Sequence, residues 1–242
     1  AKYSQISCAV NPACGREAEY GLSAALEKKS VMIVGGGIAG MEAARVATLR
    51  GHVVTLYERS DRRGGVVIAG GVRDFKEDDD DMSRWYEREL RELKVPVIFN
   101  KEVTEETVRL AKPDVLIVAT GSQPKRLSIG DADNVYSAED VLNGVKPAGN
   151  STIVIGAGPV GCATARWLHD QGKKVTIVEL APKILALAGP LCHANHDMLH
   201  DLLIYKKIDI MTSSYVAEPV KGGFKVKTGD KDTIVPADSA IV

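Results

Sequence analysis

Val31-Met32-Ile33-Val34-Gly35-Gly36-Gly37-Ile38-Ala39-Gly40 runs an apolar strand straight into a G-x-G-x-x-G turn. The same arrangement recurs at Thr152-Ile153-Val154-Ile155-Gly156-Ala157-Gly158-Pro159-Val160-Gly161. Each copy is followed by a helix-like stretch, a glycine, a second apolar strand and an acid. The acids, Glu58 and Glu179, each lie 23 residues beyond the first glycine of their turn. A lone G-x-G-x-x-G is a weak signal. A strand before it, a helix after it and an acid about 20 residues on turn it into a fingerprint for a dinucleotide.

Each glycine has a physical task in that reading. Gly35 and Gly156 allow the tight turn, and Gly37 and Gly158 let a pyrophosphate approach the backbone. Gly40 and Gly161 let the helix pack closely on the sheet. The helix N-terminus then offers free N–H groups and a positive dipole end to the phosphates. Glu58 ends the strand Val53–Tyr57, and Glu179 ends Val175–Val178. A carboxylate there accepts the ribose hydroxyls and repels a 2′-phosphate, which favours NAD(H) over NADP(H) at the second turn. The plainer alternative is glycine turns in an ordinary α/β protein, with acids that merely end strands. It fits one copy far better than two. Two matched copies imply electrons passing between two dinucleotides.

The chain has 242 residues and a formal net charge of −1, enough for one or two domains with a substantial core. Near-neutral charge without a basic patch excludes a nucleic-acid surface, and apolar runs of strand length exclude a membrane-spanning helix. No signal peptide is visible. Cys8, Cys14, Cys162 and Cys192 show no disulfide framework, as expected of a cytoplasmic protein. The chain begins without Met and ends at Ala240-Ile241-Val242 inside an apparent buried strand, which reads as a fragment of a larger protein.

Residues 1–30 show little periodicity, carry turn signals at Asn11-Pro12 and Cys14-Gly15, and read as an arm. Arg62-Arg63-Gly64-Gly65 is a further glycine-rich turn where backbone could approach a cofactor. Met82–Leu93 is an amphipathic helix, Val97–Asn100 a strand, and Thr104–Leu110 a short helix. Asp114–Gly121 reads as a buried strand ending in a small-residue turn. Pro147–Asn150 reads as a boundary, giving units at 31–147 and 148–242 after the arm. Past a helix at Ala194–Tyr205, short segments at 208–211, 215–218, 224–227, 233–235 and 239–242 read as small antiparallel strands.

Several groupings imitate sites. Asp78–Asp81 lacks the alternating spacing of a calcium loop and reads as acids at a helix N-terminus. Cys192, His193, His196 and His200 crowd one stretch, with two His one helical turn apart. The stretch lacks the H-E-x-x-H glutamate and a fitting fourth ligand, and reads as helix surface. Cys162, in a first helical turn, could have a lowered pKa, but reads as a small residue packed on the sheet. There is no Cys-x-x-Cys, so a disulfide-reductase site is not supported.

The order of motifs resembles the two-dinucleotide flavoproteins of the glutathione-reductase type, over about residues 31–242. Ala119-Thr120-Gly121 matches their small turn at the crossover between domains. The resemblance implies an α/β chain of two Rossmann-like three-layer units, with the NAD domain inserted into a truncated FAD domain. Cys8-Ala9-Val10-Asn11-Pro12, about twenty residues before the first fingerprint, narrows it. It resembles the junction in the NADH:flavin oxidoreductases of the 2,4-dienoyl-CoA reductase, 2-enoate reductase and trimethylamine dehydrogenase family.

That family implies FAD, or ADP, held by Gly35, Gly37, Ile38, Ala39, Gly40, Glu58, Arg59, Gly64, Gly65, Val103, Ala119, Thr120 and Gly121. It implies NADH held by Gly156, Gly158, Pro159, Val160, Gly161 and Glu179. Cys8 would be one ligand of a [4Fe–4S] cluster in the intact protein, with FMN in an absent barrel where an enoate-type C=C is reduced. No residue of this chain need be catalytic. The implied partners are small-molecule cofactors, with neither nucleic acid nor membrane, in a homo-oligomeric intact protein. This sequence departs from the family pattern where Val66 follows Gly64-Gly65, and where Glu179 replaces what NADPH-dependent members carry. Two rival readings are a stand-alone NADH oxidase or flavin reductase, and a non-catalytic ADP- or dinucleotide-binding module.

Overall fold

The computed structural model describes residues 6–8, 10–72, 77–124, 127, 129, 133–186 and 193–242, with backbone only at 77–79 and 193. The chain forms two compact units, Ala1–Ser122 and Gln123–Val242. Both are α/β with a parallel sheet, as the alternation of apolar strands and helical stretches predicts.

In the first unit the arm leads into β1 (Ser30–Val34), α1 (Ile38–Leu49), β2 (Val53–Tyr57), α2 (Val66–Gly71), α3 (Glu77–Glu92), β3 (Val97–Ile98), α4 (Glu105–Ala111) and β4 (Val115–Val118). The sheet is parallel throughout, in the order β3-β2-β1-β4. Parallel neighbours need a crossover, and α1 supplies it between β1 and β2. Val31, Ile33, Val54 and Leu56 alternate toward one face and bury against Met41 and Ala44 of α1 and Tyr86 and Leu90 of α3. Thr104 and Thr107 form a reciprocal capping box that starts α4.

β4 differs from its expectation as a fully buried strand. It alternates, with Leu116 42% and Val118 66% exposed. The reason is position: β4 is the edge of the sheet, and only Val115 and Ile117 face the core.

The second unit contains β5 (Val135–Tyr136), α5 (Ala138–Leu142), β6 (Ser151–Ile155), α6 (Pro159–Asp170), β7 (Lys174–Val178), α7 (His193–Tyr205), β8 (Asp209–Met211), β9 (Ser214–Val220), β10 (Gly223–Thr228), β11 (Lys231–Pro236) and β12 (Ser239–Ile241). Five strands form a parallel sheet in the order β5-β12-β6-β7-β8, and β11-β10-β9 form a separate antiparallel sheet. Ile153, Val178 and Ala240 of the parallel sheet pack with Phe224 and Val226 of β10.

Two expectations change here. The units divide between Ser122 and Gln123, upstream of 147/148, because β5 hydrogen-bonds to β12 and so belongs to the second sheet. The C-terminal segments are not all antiparallel: β8 and β12 join the parallel sheet. Ala240 and Ile241 are wholly buried, as befits a parallel strand covered on both faces.

One side-chain clasp occurs in both units. Ser30 at the start of β1 donates its N–H (2.7 Å) and Oγ (2.8 Å) to Asp114 Oδ2, just before β4, and the Asp114 N–H returns to Ser30 Oγ at 2.9 Å. Ser151 at the start of β6 donates its N–H to Asp238 Oδ2 at 2.9 Å, just before β12, and the Asp238 N–H returns to Ser151 Oγ at 3.2 Å. Hydrogen bonds from Ser30 and Ser151 hold Asp114 and Asp238 below their usual pKa.

Candidate dinucleotide-binding loops

The first loop leaves β1 through Gly35, whose φ of +110° suits glycine. A Cβ there would collide with the Ala119 carbonyl oxygen, and one on Gly40 would collide with the Gly35 carbonyl oxygen. These two glycines are therefore fixed by packing. Gly37 differs: a Cβ on it would meet nothing within 4 Å. It is the N-cap of α1 and provides no side-chain cap, so the helix start faces open space with its N–H groups unclaimed by a capping side chain.

The Arg62–Gly65 turn comes to the same place. Gly64 N–H donates to the Gly36 carbonyl at 2.9 Å, Gly37 and Gly64 form a parallel bridge, and a Cβ on Gly65 would lie 3.2 Å from Gly37 Cα. Ala119 N–H donates to the Val34 carbonyl at 2.8 Å. Gly35, Gly37, Gly40, Gly64, Gly65 and Ala119 are thus brought together. Thr120 and Gly121 follow on the exposed turn, with Gly121 at φ +71°. Ile38 packs on the core, whereas Ala39 and Arg59 are exposed. Val103 is half-buried before the Thr104 cap and makes no hydrogen bond to the glycine turn among the described residues.

The second loop repeats this geometry except at its first glycine, where a Cβ on Gly156 would meet nothing within 4 Å. Gly156 has φ +98°, and its N–H donates to the Val178 carbonyl at 2.8 Å, as Gly35 N–H does to Tyr57 at 2.8 Å. A Cβ on Gly161 would collide with the Gly156 carbonyl oxygen, whereas one on Gly158 would meet nothing within 4 Å. Pro159 occupies the first turn of α6, where its missing N–H costs nothing, and Val160 is 59% exposed.

The two acids are buried and already engaged. Glu58 Oε2 accepts the Gly36 N–H at 2.6 Å, and its Oε1 accepts the Ser60 N–H and Oγ at 2.8 Å each. Burial alone would raise the Glu58 pKa. The hydrogen bonds from Ser60 and Gly36 and the charge of Arg59 outweigh it and hold the carboxylate below its usual value. Glu179 Oε2 accepts the Ala157 N–H at 2.5 Å, and its Oε1 accepts the Ala181 N–H at 2.7 Å. Gly36, Ser60, Ala157 and Ala181 were missed by sequence reasoning. The detectable signal was the serine two residues after Glu58, a residue type whose hydroxyl turns back onto nearby groups.

Cys162 is wholly buried, and its thiol lies 3.3 Å from the Ala157 carbonyl. Burial, aided by the charge of Glu179, pushes that thiol up to about 12, so it packs and does not react. His196 and His200 lie half-exposed on α7, each beside the neighbouring Asp197 or Asp201. Cys192 and the side chains of His193, Asp78 and Asp79 fall outside the described residues. No group of three or more His, Cys, Asp or Glu able to hold a metal occurs among the described residues, and Cys8 is exposed.

Residues 29–242 match the family model described as pyridine nucleotide-disulphide oxidoreductase. The chain belongs to that family. Its FAD/NAD-binding fold and its relatives place it with the corresponding part of the enoate reductase and trimethylamine dehydrogenase group. It is 52% identical to a cinnamate reductase of Clostridium sporogenes over 240 residues, which is 99% of this chain and 36% of that protein. It is 36% identical to an NADH oxidase of Thermoanaerobacter brockii, over 95% of this chain and 36% of that one. Among solved structures, a 2-naphthoyl-CoA reductase in complex with 2-naphthoyl-CoA superposes with a TM-score of 0.89 at 32% identity, over 97% of this chain and 36% of that one. The chain therefore spans little over a third of the length of these relatives. No helix among its described residues is long and apolar enough to cross a membrane.

Proposed function

We propose that this chain is the NADH-input part of a larger flavoenzyme. NADH sits on the loop 156–161 with its adenosine ribose on Glu179, and FAD on the loop 35–40 with Glu58 and the Gly64-Gly65 turn. The observation that carries this reading is the open space over Gly37 and Gly158, each at an uncapped helix start beside a buried carboxylate. That is the surface a pyrophosphate needs, and a Cβ at either glycine would stand in it. Flavin, when bound, supplies the hydride chemistry, and these residues bind and orient. The buried carboxylate of Glu179 favours a free 2′-hydroxyl, hence NADH over NADPH.

The 52% identity to cinnamate reductase supports an enoate-type C=C as the substrate of the intact protein. Cys8 is exposed and free to serve as one ligand of a [4Fe–4S] cluster there, yet the described residues provide no complete ligand set for it. Nothing in this chain is assigned to FMN.

The test is a visible spectrum of the purified chain after adding FAD, then titration with NADH and NADPH. NADH should bind more tightly, and Glu179→Ala should narrow the gap by about tenfold, the effect of one charge-assisted hydrogen bond. No NADH binding would overturn the second-loop assignment, and a wild-type preference for NADPH would overturn the ribose role of Glu179. ADP binding at the first loop without a flavin spectrum would replace FAD there by ADP.

A further inference from the structure

Both carboxylates do something in addition to facing a ribose. In each unit one oxygen of the acid accepts the N–H of the second residue of the fingerprint: Gly36 at 2.6 Å and Ala157 at 2.5 Å. The other oxygen accepts the N–H two residues further along its own strand end: Ser60 at 2.8 Å and Ala181 at 2.7 Å. A buried backbone N–H left without a partner is costly, so the amides of Gly36 and Ala157 depend on the acids. Ala157 is further fixed through its carbonyl, which accepts from Leu185 N–H at 2.8 Å and lies 3.3 Å from the Cys162 thiol.

We propose that Glu58 and Glu179 are positioning residues for the phosphate loops, each tying the second fingerprint residue to the end of the neighbouring strand. Loss of the acid then weakens the grip on pyrophosphate itself, through a loop that has lost its tie, and not only the hold on ribose. The acceptor capacity left over also differs between the units. An ionised carboxylate has about four acceptor positions. Glu179 uses one on each oxygen and keeps one on each for a ribose diol. Glu58 takes the Ser60 N–H and a hydroxyl shared with the Arg62 carbonyl on Oε1, and keeps one position fully open, on Oε2.

This inference rests on the second loop holding a nucleotide pyrophosphate, and its test separates the two ideas. The full chain is titrated with ADP and with 2′,3′-dideoxy-ADP, read at the amide resonances of residues 156–158, 160 and 161, in wild type, Glu179→Gln and Glu179→Ala. Positioning predicts that Glu179→Ala weakens both ligands, the dideoxy nucleotide by about tenfold, and that Gln, keeping one carbonyl acceptor, falls between. If ADP weakens while dideoxy-ADP does not, Glu179 only reads ribose and the proposal is wrong. Amide exchange of the ligand-free chain provides the second arm. In Glu179→Ala the Ala157 amide should exchange about tenfold faster, while the Gly156 amide, bonded to the Val178 carbonyl, stays protected. An unchanged Ala157 amide also overturns the proposal. If neither nucleotide moves the wild-type signals, the nucleotide reading fails, and the exchange arm alone decides whether the tie exists.

Discussion

The two units share a plan and differ at one flank. In each, a serine at the start of the first strand clasps an aspartate before the strand that lies on its far side, so β4 of the first unit corresponds to β12 of the second. β12 is inside its sheet: β5 pairs with its other edge, and Ala240 N–H and Val242 N–H donate to the Asn134 and Tyr136 carbonyls. β4 has no strand on its other edge among the described residues, and Leu116 and Val118 are exposed. Beside it an apolar groove of about 570 Å³ opens between α1 and the sheet, lined by Val31, Ala43, Val46, Ala47, Val115 and Ile117. In the second unit α5 packs on α6, the counterpart of α1. The glycine loops are alike in both units despite this. Their shape is therefore set by contacts next to the loop (strand end, helix start, acid) and not by what covers the far side of the sheet.

That conclusion breaks most visibly at the third glycine. Gly40→Ala and Gly161→Ala should each destabilise their own unit by ~3 kcal/mol or more, because the new Cβ meets a backbone carbonyl that cannot move aside. Denaturant unfolding followed by a probe in each unit would show it. Equal, small losses in both would mean that the helix start is loose, and the loop shape would then need another cause. The flanks should differ next. Native-state amide exchange should protect β12 over β4 by on the order of 100-fold, since an edge strand opens without disturbing a second partner. Equal protection would mean that something covers β4 in solution.

Gly158→Ala sharpens the comparison from the other side. Its φ of −73° is ordinary for alanine and its Cβ meets nothing, so the fold should be unchanged within about 0.5 kcal/mol. Nucleotide binding at the second loop should nevertheless fall about tenfold, because the methyl group occupies the space the pyrophosphate needs. Thermal unfolding and an NADH titration of the same sample check both halves. A large loss of stability with intact binding would contradict the assignment of that space.

The sequence made the repeated part legible and the unrepeated part much less so. Gly35, Gly37, Gly40 and Glu58, with Gly156, Gly158, Gly161 and Glu179, could be read because each obeys a local rule of turn, helix start or strand end. The tail at 208–242 misled because strand length and alternation do not say which sheet a strand will join. β8 and β12 look like β9 or β11 locally, and only pairing with β7 and β6 assigns them to the parallel sheet. The boundary misled for the same reason, since a two-residue strand such as β5 leaves almost no pattern. Ser60 and Ala181 escaped because a backbone N–H turning back on a carboxylate has no residue-type signature at Ala181 and only a faint one at Ser60.

Ser60 and Ala181 also provide the smallest test of the comparison. Glu58 has a lowered pKa in the folded chain, so its contribution to stability is present above the ordinary value of 4.5 and is lost as pH falls through the folded value. The Ser60 hydroxyl supplies part of that lowering, although it also lies 2.8 Å from the Arg62 carbonyl and cannot give its single proton fully to both. Ser60→Ala should therefore end the acid loss of the first unit at a higher pH, make that loss smaller, and cost less than about 1 kcal/mol at neutral pH, because the Ser60 N–H still holds Oε1. Urea unfolding of the first unit across pH 3 to 7 reads both effects. Ala181→Ser, which places a hydroxyl at the matching position of the second unit, should leave the fold intact and take up one acceptor position of Glu179 that the proposed ribose contact would use. An acid midpoint that does not move in Ser60→Ala would assign the lowered Glu58 pKa to the backbone N–H groups of Gly36 and Ser60.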